Sequence, residues 1–245
     1  MIDFGGYLLL FSVGIICGVI NILAGGGSFL ALPVLIFLGM PAITANGTNR
    51  VGILIQNLGA GWGFQRHRLI SWEALKWSAA PACAGSILGV WIAFQVGDQL
   101  FQKILAFLMI AITLWTLWDS ARTRTDRPVS KPVILAILFF LIGIYGGFVQ
   151  AGVGFFVLAA TTWAGFDLVR GNALKVMIIL VFIILTLFLF AWNGQVLWIP
   201  GVILGLGNLI GGLIGVRLTV LKGHRWIRGV VTITIILFAI KLWFS

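Results

Sequence analysis

Long apolar stretches follow one another along this chain, and they leave few folds open to it. Runs bounded by polar clusters cover 5–23, 28–39, 47–64, 74–95, 101–118, 132–149, 154–165, 175–191, 197–216 and 227–244. A transmembrane helix needs about 20 consecutive apolar residues, and most of the runs approach that length. Of the 245 residues, 61% are hydrophobic and 9% charged. A soluble domain is about 25% charged, so this chain has too few polar side chains to cover a water-facing surface. The expected fold is all-α: a polytopic integral membrane protein of about eight to ten helices, with no separate soluble domain. Met1 to Phe11 has no positive region, and its apolar run continues to Leu23 without a small-residue cleavage site. That stretch reads as a permanent first helix.

Two runs are too short to span plainly. Segments 28–39 and 154–165 follow the glycine clusters Ala24-Gly25-Gly26-Gly27 and Ala151-Gly152-Val153-Gly154. They occupy the same place in the two halves of the chain. Gly25 and Gly27 align with Gly152 and Gly154, and Gly39 aligns with Gly165. Asn49-Arg50 aligns with Leu174-Lys175, Trp72 with Trp198, and Gly85-Ser86-x-x-Gly89 with Gly211-Gly212-x-x-Gly215. We therefore expect an internal duplication: a first transmembrane repeat over 1–118, a cytoplasmic linker over 119–131 and a second repeat over 132–245.

Charge orients the repeats. Lys and Arg concentrate in cytoplasmic loops. Arg66, Arg68 and Lys76 mark one such loop, and Arg122, Arg124, Arg127 and Lys131 mark a second. Arg217, Lys222, Arg225 and Arg228 mark a third, whereas 192–197 carries no charge and reads as external. The charge rule thus prefers that segment 154–165 crosses or counts as a crossing, which gives each half five passes. The two five-segment repeats are then inverted, with both termini outside. Trp72, Trp118, Trp192, Trp198, Trp226 and Trp243 fall near expected span ends, as an interfacial aromatic belt requires.

Inverted repeats with paired, glycine-interrupted short segments are a plan of secondary transporters, which bind substrate where the broken helices meet near the midplane. A helix start there presents backbone N–H groups and a favourable dipole to an anion. Ser28 stands where it would cap the half-helix beginning near Phe29. Close helix packing is the plainer role for the same glycines. Asn46, Thr48, Asn49 and Arg50, with Gln56 and Asn57 further on, open an otherwise apolar span. Polar residues inside a membrane are costly unless they line a cavity or pair within the bundle. Asn172 and Lys175 are the counterparts in the second half. Two cations, one per half, suit an oxyanion or a sulfonate; contact with lipid headgroups is the alternative for both. Asn21 and Gln150 flank the glycine clusters, and Asn208 lies mid-helix. For each of these alone, hydrogen bonding between helices competes with ligand contact.

Gly18-x-x-Asn21-x-x-Ala24-Gly25-Gly26-Gly27-Ser28, then Pro33, then Gly39-Met40-Pro41-Ala42-x-x-Ala45-Asn46-Gly47-Thr48-Asn49-Arg50, resembles the TauE/SafE family of sulfite exporters, also called 4-toluene sulfonate uptake permeases. Gly146-Gly147-Phe148-x-Gln150-Ala151-Gly152-x-Gly154 is similar to that family's second signature. The resemblance spans nearly the whole chain. It implies a multi-pass carrier of the bacterial inner membrane that moves sulfite, sulfoacetate or related organosulfonates, often outward. The second half departs from a triple glycine by carrying Val153, so the two half-sites need not contribute equally.

Other chemistries find little support. His67 and His224 lie beside arginines in expected loops, and no nucleophile with a base is visible. Cys17 and Cys83 sit in apolar stretches and imply neither a disulfide framework nor a zinc site. No carboxylate falls mid-span, so no buried proton relay of that kind is expected. We expect no catalytic residue, metal or cofactor. The expected partners are a small anion and the lipid bilayer, with no nucleic acid; pairing as a homodimer is left open. The expected function is a secondary transporter of small sulfur-containing anions working by alternating access. The alternatives are an anion channel and a carrier for small carboxylates. The expected substrate site comprises Asn21, Gly25, Gly26, Gly27, Ser28, Asn46, Thr48, Asn49, Arg50, Gln56, Gln150, Gly152, Gly154, Asn172 and Lys175.

Overall fold

A computed structural model describes residues 2–119 and 132–243. The expected linker over 119–131 lies almost wholly outside them. Nine helices follow one another among the described residues: α1 (Phe4–Leu23), α2 (Ser28–Phe37), α3 (Ala42–Arg66), α4 (Trp72–Gln95), α5 (Asp98–Asp119), α6 (Pro132–Phe148), α7 (Val153–Trp163), α8 (Leu168–Trp192) and α9 (Trp198–Trp243). Within them, Phe4–Leu23, Trp72–Gln95, Leu168–Trp192 and Trp198–Leu221 are long and apolar enough to cross a membrane. The chain is thus an all-helical, polytopic integral membrane protein. Large apolar side chains such as Trp62, Trp91, Phe107 and Phe188 face outward, as lipid rather than water solvation requires.

The two short helices form as expected. α2 has 10 residues and α7 has 11, about 15–17 Å each at 1.5 Å per residue. Each follows a break that turns on a left-handed glycine, Gly25 with φ 92° and Gly152 with φ 73°. An L side chain rarely adopts that backbone, whereas glycine adopts it freely. Helix starts are also held locally: Asp3 caps α1, Ser71 caps α4 and Asp167 caps α8.

Small residues set the packing. Gly14 and Gly18 of α1 lie against the backbone of α9 around Gly207 and Asn208, while Gly85 and Gly89 of α4 lie against the backbone of α6 around Phe140 and Ile144. Without Cβ atoms the helices approach closely enough for backbone contact, a common basis of helix association in lipid. α3 also packs on α9, and α8 on α4. The glycines thus serve helix packing at some positions and helix breaks at others.

One expected boundary is absent. The runs 197–216 and 227–244 belong to a single helix of 46 residues, about 69 Å long. The cations expected to mark a loop from Arg217 onward lie on this helix. No proline follows Pro200 and only Gly223 and Gly229 interrupt the stretch from Arg217 onward, while Lys and Arg are good helix formers. A charge cluster signals exit from the membrane, which does not require exit from the helix.

Candidate functional site

The two glycine breaks meet. Gly25 touches the backbone of Gly154 so closely that a Cβ on either residue would overlap the other chain segment. Phe29 of α2 covers Gly152, Phe155 of α7 covers Gly26, and the two rings stack with centroids 6.1 Å apart. Each short helix thereby lays its first-turn aromatic over the other's break. Beside this crossing lies a cavity of about 20 Å³, room for about one water molecule. Its polar wall is Asn21, Ser28, Gln56, Asn57, Gln150 and Lys175, with Gly25 and Gly154. Ile22, Ile53, Val153, Val176 and Ile179 complete it with apolar surface.

Hydrogen bonds join the remaining candidates to this wall. The Gly27 N–H donates to Asn21 Oδ1 at 2.7 Å, and Asn21 Nδ2 donates to Gln56 Oε1 at 3.2 Å. Asn49 Nδ2 donates to Ser28 Oγ at 3.1 Å. At the second break, Asn46 of α3 accepts the Gln150 N–H at 3.2 Å and donates to the Phe148 carbonyl at 2.9 Å. Buried polar groups without partners are expensive in an apolar interior, and these pairings meet that demand.

Both cations are fully buried, Arg50 at 0% and Lys175 at 1% exposure. Neither reaches a lipid headgroup, which removes that reading. Lys175 Nζ donates to the carbonyls of Asn21 (2.9 Å) and Ile22 (2.8 Å) and to Asn172 Oδ1 (2.7 Å). Arg50 donates to the carbonyls of Gly146 (3.2 Å) and Gly147 (2.7 Å), to Gln150 Oε1 (3.2 Å) and to Thr186 Oγ1 (2.8 Å). Its guanidinium carbon lies 4.4 Å from the Phe190 ring centroid. The four carbonyls belong to the last turns of α1 and α6, which carry partial negative charge and no intrahelical donor. Each cation therefore caps the first helix of the opposite half. Among the described residues the sole ion pair is Arg170 with Asp167 at 3.9 Å, so neither buried cation meets a carboxylate there.

Two expectations change. Ser28 is the first residue of α2 rather than its cap; Gly27 holds the cap position without a side-chain bond. Backbone bonds from Phe29 and Leu30 to the Gly26 and Gly27 carbonyls start the helix one residue earlier, which frees the Ser28 hydroxyl for Asn49. Thr48 points away from the cavity wall and accepts the Leu197 N–H at 3.0 Å, at the start of α9. Asn208 is buried against Gly52 with both amide atoms unpartnered. Thr186 enters the site without having been singled out. Its only signal is one hydroxyl within the apolar run of α8.

Several buried polar atoms remain unpaired: Arg50 Nε, Asn57 Nδ2, Asn172 Nδ2 and Asn49 Oδ1. Three of these four are donors. The arrangement offers positive charge and spare N–H groups where two broken helices cross, which is chemistry for an anion.

Comparison with known proteins agrees with a transport role. The family model described as Sulfite exporter TauE/SafE matches residues 10–242. A "Probable membrane transporter protein" of Haemophilus influenzae is 31% identical, over 96% of this chain and 93% of its own length. "Probable membrane transporter protein ORF9" of Sinorhizobium sp is 31% identical over 99% and 95%. "Probable membrane transporter protein YfcA" of Escherichia coli K12 is 30% identical over 96% and 88%. No solved structure matches the chain. On the family model and on these near full-length relatives, the chain belongs to the TauE/SafE family of membrane transporters.

Proposed function

We propose that this transporter carries small sulfur-containing anions, namely sulfite, sulfoacetate or other organosulfonates, outward across the bacterial inner membrane. It does so as a secondary carrier, by alternating access of one repeat against the other. The observation that carries the reading is the pair of buried cations that meet no carboxylate among the described residues, Lys175 in the wall of the cavity beside the glycine crossing and Arg50 bonded to Gln150 of that wall. Charge buried in this way is expensive unless it is used. Partial negative charge at two helix ends offsets it in part, and a bound anion would complete the neutralisation. The substrate site of this reading is the cavity wall together with Asn49, Arg50, Asn46 and Asn172 behind it.

Matching helix pairs support a duplication, which this reading takes as inverted. α1 packs on α9 as α6 packs on α4, and α2 lies by α3 as α7 lies by α8. A sulfite ion is larger than the single water for which the cavity has room, so on this reading the cavity must widen to take the substrate. Carrier behaviour is tested by counterflow. Purified protein in liposomes preloaded with sulfite should take up labelled sulfite faster than unloaded liposomes, with saturation. Flux that rises linearly with concentration and ignores preloading would make the protein a channel. Counterflow with small carboxylates but not with sulfite or sulfonates would move the substrate class.

A further inference from the structure

The two buried cations do the same capping job with unequal freedom. Arg50 grips four acceptors with one planar fork and lies against Phe190. Its side chain forms no part of the cavity wall. Lys175 spends its three donors on the Asn21 and Ile22 carbonyls and on Asn172 Oδ1, and it stands in the wall itself. An ammonium is a compact charge on a flexible stem that can trade one acceptor for another, whereas a guanidinium fork is rigid. Around Lys175 the unspent groups are donors: Asn57 Nδ2 in the same wall, and Asn172 Nδ2 on the amide that Lys175 bonds. An acceptor entering the cavity would satisfy them and would compete with the α1 carbonyls for the ammonium.

The geometry points to Lys175 as a substrate-responsive latch: an anion in the cavity draws its ammonium off the Asn21 and Ile22 carbonyls and uncaps the end of α1, while Arg50 holds the end of α6. This inference rests on the anion reading above. Release of α1 acts directly on the first glycine break. Asn21, whose carbonyl Lys175 holds, also binds the Gly27 N–H through its side chain. The Ala24 and Gly25 N–H groups hang on the carbonyl of Ile20, in the same last turn. Substrate binding is thereby linked to movement of α2, and the two halves do not move alike. The sequence hides this asymmetry, because Arg50 and Lys175 stand at matching positions of the two halves and both carry a positive charge.

The test is hydrogen exchange of the full chain in lipid nanodiscs, with and without sulfite, alongside its melting temperature. Saturating sulfite should raise the melting temperature. It should also speed exchange of amides 20–28 at least tenfold while leaving 143–150 unchanged. In Lys175→Gln, amides 20–28 should exchange at that faster rate without sulfite and gain nothing from it. Should that variant fail to fold, Lys175→Arg keeps the charge and grips harder, and its sulfite response at 20–28 should shrink at least threefold. A sulfite-stabilised protein whose amides 20–28 are unchanged or slowed overturns the latch and leaves the anion reading standing. Equal loosening of both helix ends, or a wild-type response in Lys175→Arg, also overturns it. Absence of both a melting shift and counterflow removes the anion reading and the latch with it.

Discussion

The breaks between α1 and α2 and between α6 and α7 both turn on a left-handed glycine but differ in build and in what holds them: Gly152 is itself the cap residue of α7, whereas Gly25 lies two residues before the cap of α2, Gly27. At the first, Asn21 reaches forward from its own helix and takes the Gly27 N–H. At the second, Asn46 reaches across from α3 and takes the Gln150 N–H. Each asparagine puts a side-chain carbonyl on a backbone donor that the break would otherwise strand. The neighbours differ as well. Gly25 abuts backbone at Gly154, whereas Gly152 abuts the ring of Phe29. What the two halves share is the physical need of a broken helix in lipid, met by whichever residue lies within reach.

The largest expected effect separates the two glycines. Gly25→Ala forces a left-handed residue, at about 1–3 kcal/mol, and drives a Cβ into the fixed backbone of Gly154, for roughly 1–3 kcal/mol more. Gly152→Ala carries the same conformational strain but meets an aromatic ring that can shift. The melting temperature should fall for both and markedly further for Gly25→Ala, with uptake lost in that variant. Equal losses would mean that the first break yields as easily as the second.

A smaller effect is expected from the asparagines. Asn21→Ala and Asn46→Ala each strand a buried backbone N–H, which costs about 1–3 kcal/mol. Thermal unfolding in detergent should show similar destabilisation for the two. A loss confined to one of them would show that the other break finds water or a second acceptor.

The smallest effect belongs to Asn208. Its amide atoms have no partner, so Asn208→Leu removes an unsatisfied polar group at similar volume. Stability should hold or rise by up to about 1 kcal/mol. A clear drop in melting temperature would reveal a bound water or ion at that amide.

Most of the architecture was legible before any coordinates. The bounds of α1, α4 and α6 fall within two or three residues of the apolar runs, because hydrocarbon thickness sets how long such a run must be. The breaks were legible as well, since a glycine cluster within an apolar stretch has few other uses. The site was legible as a set of residue types: a buried Asn, Gln, Arg or Lys in a membrane span must have a partner or a ligand. The partners themselves were not. Thr48 serves the start of α9 and Ser28 serves Asn49. Nothing near either residue in sequence distinguishes those choices from a ligand contact. The continuity of α9 was missed because charge marks where a chain leaves lipid and says nothing of where its helix ends.

Sequence alone determined residence in the membrane, the two broken helices and the polar positions that had to be reconciled with lipid. These follow from local properties: side-chain transfer cost, backbone freedom at glycine and the length needed to span. Only the tertiary structure decided that Lys175 would cap α1 and Arg50 would cap α6, across separations of 154 and 96 residues. A buried charge takes whatever acceptors the packed fold brings within 3 Å or so, and that proximity is a property of the whole bundle.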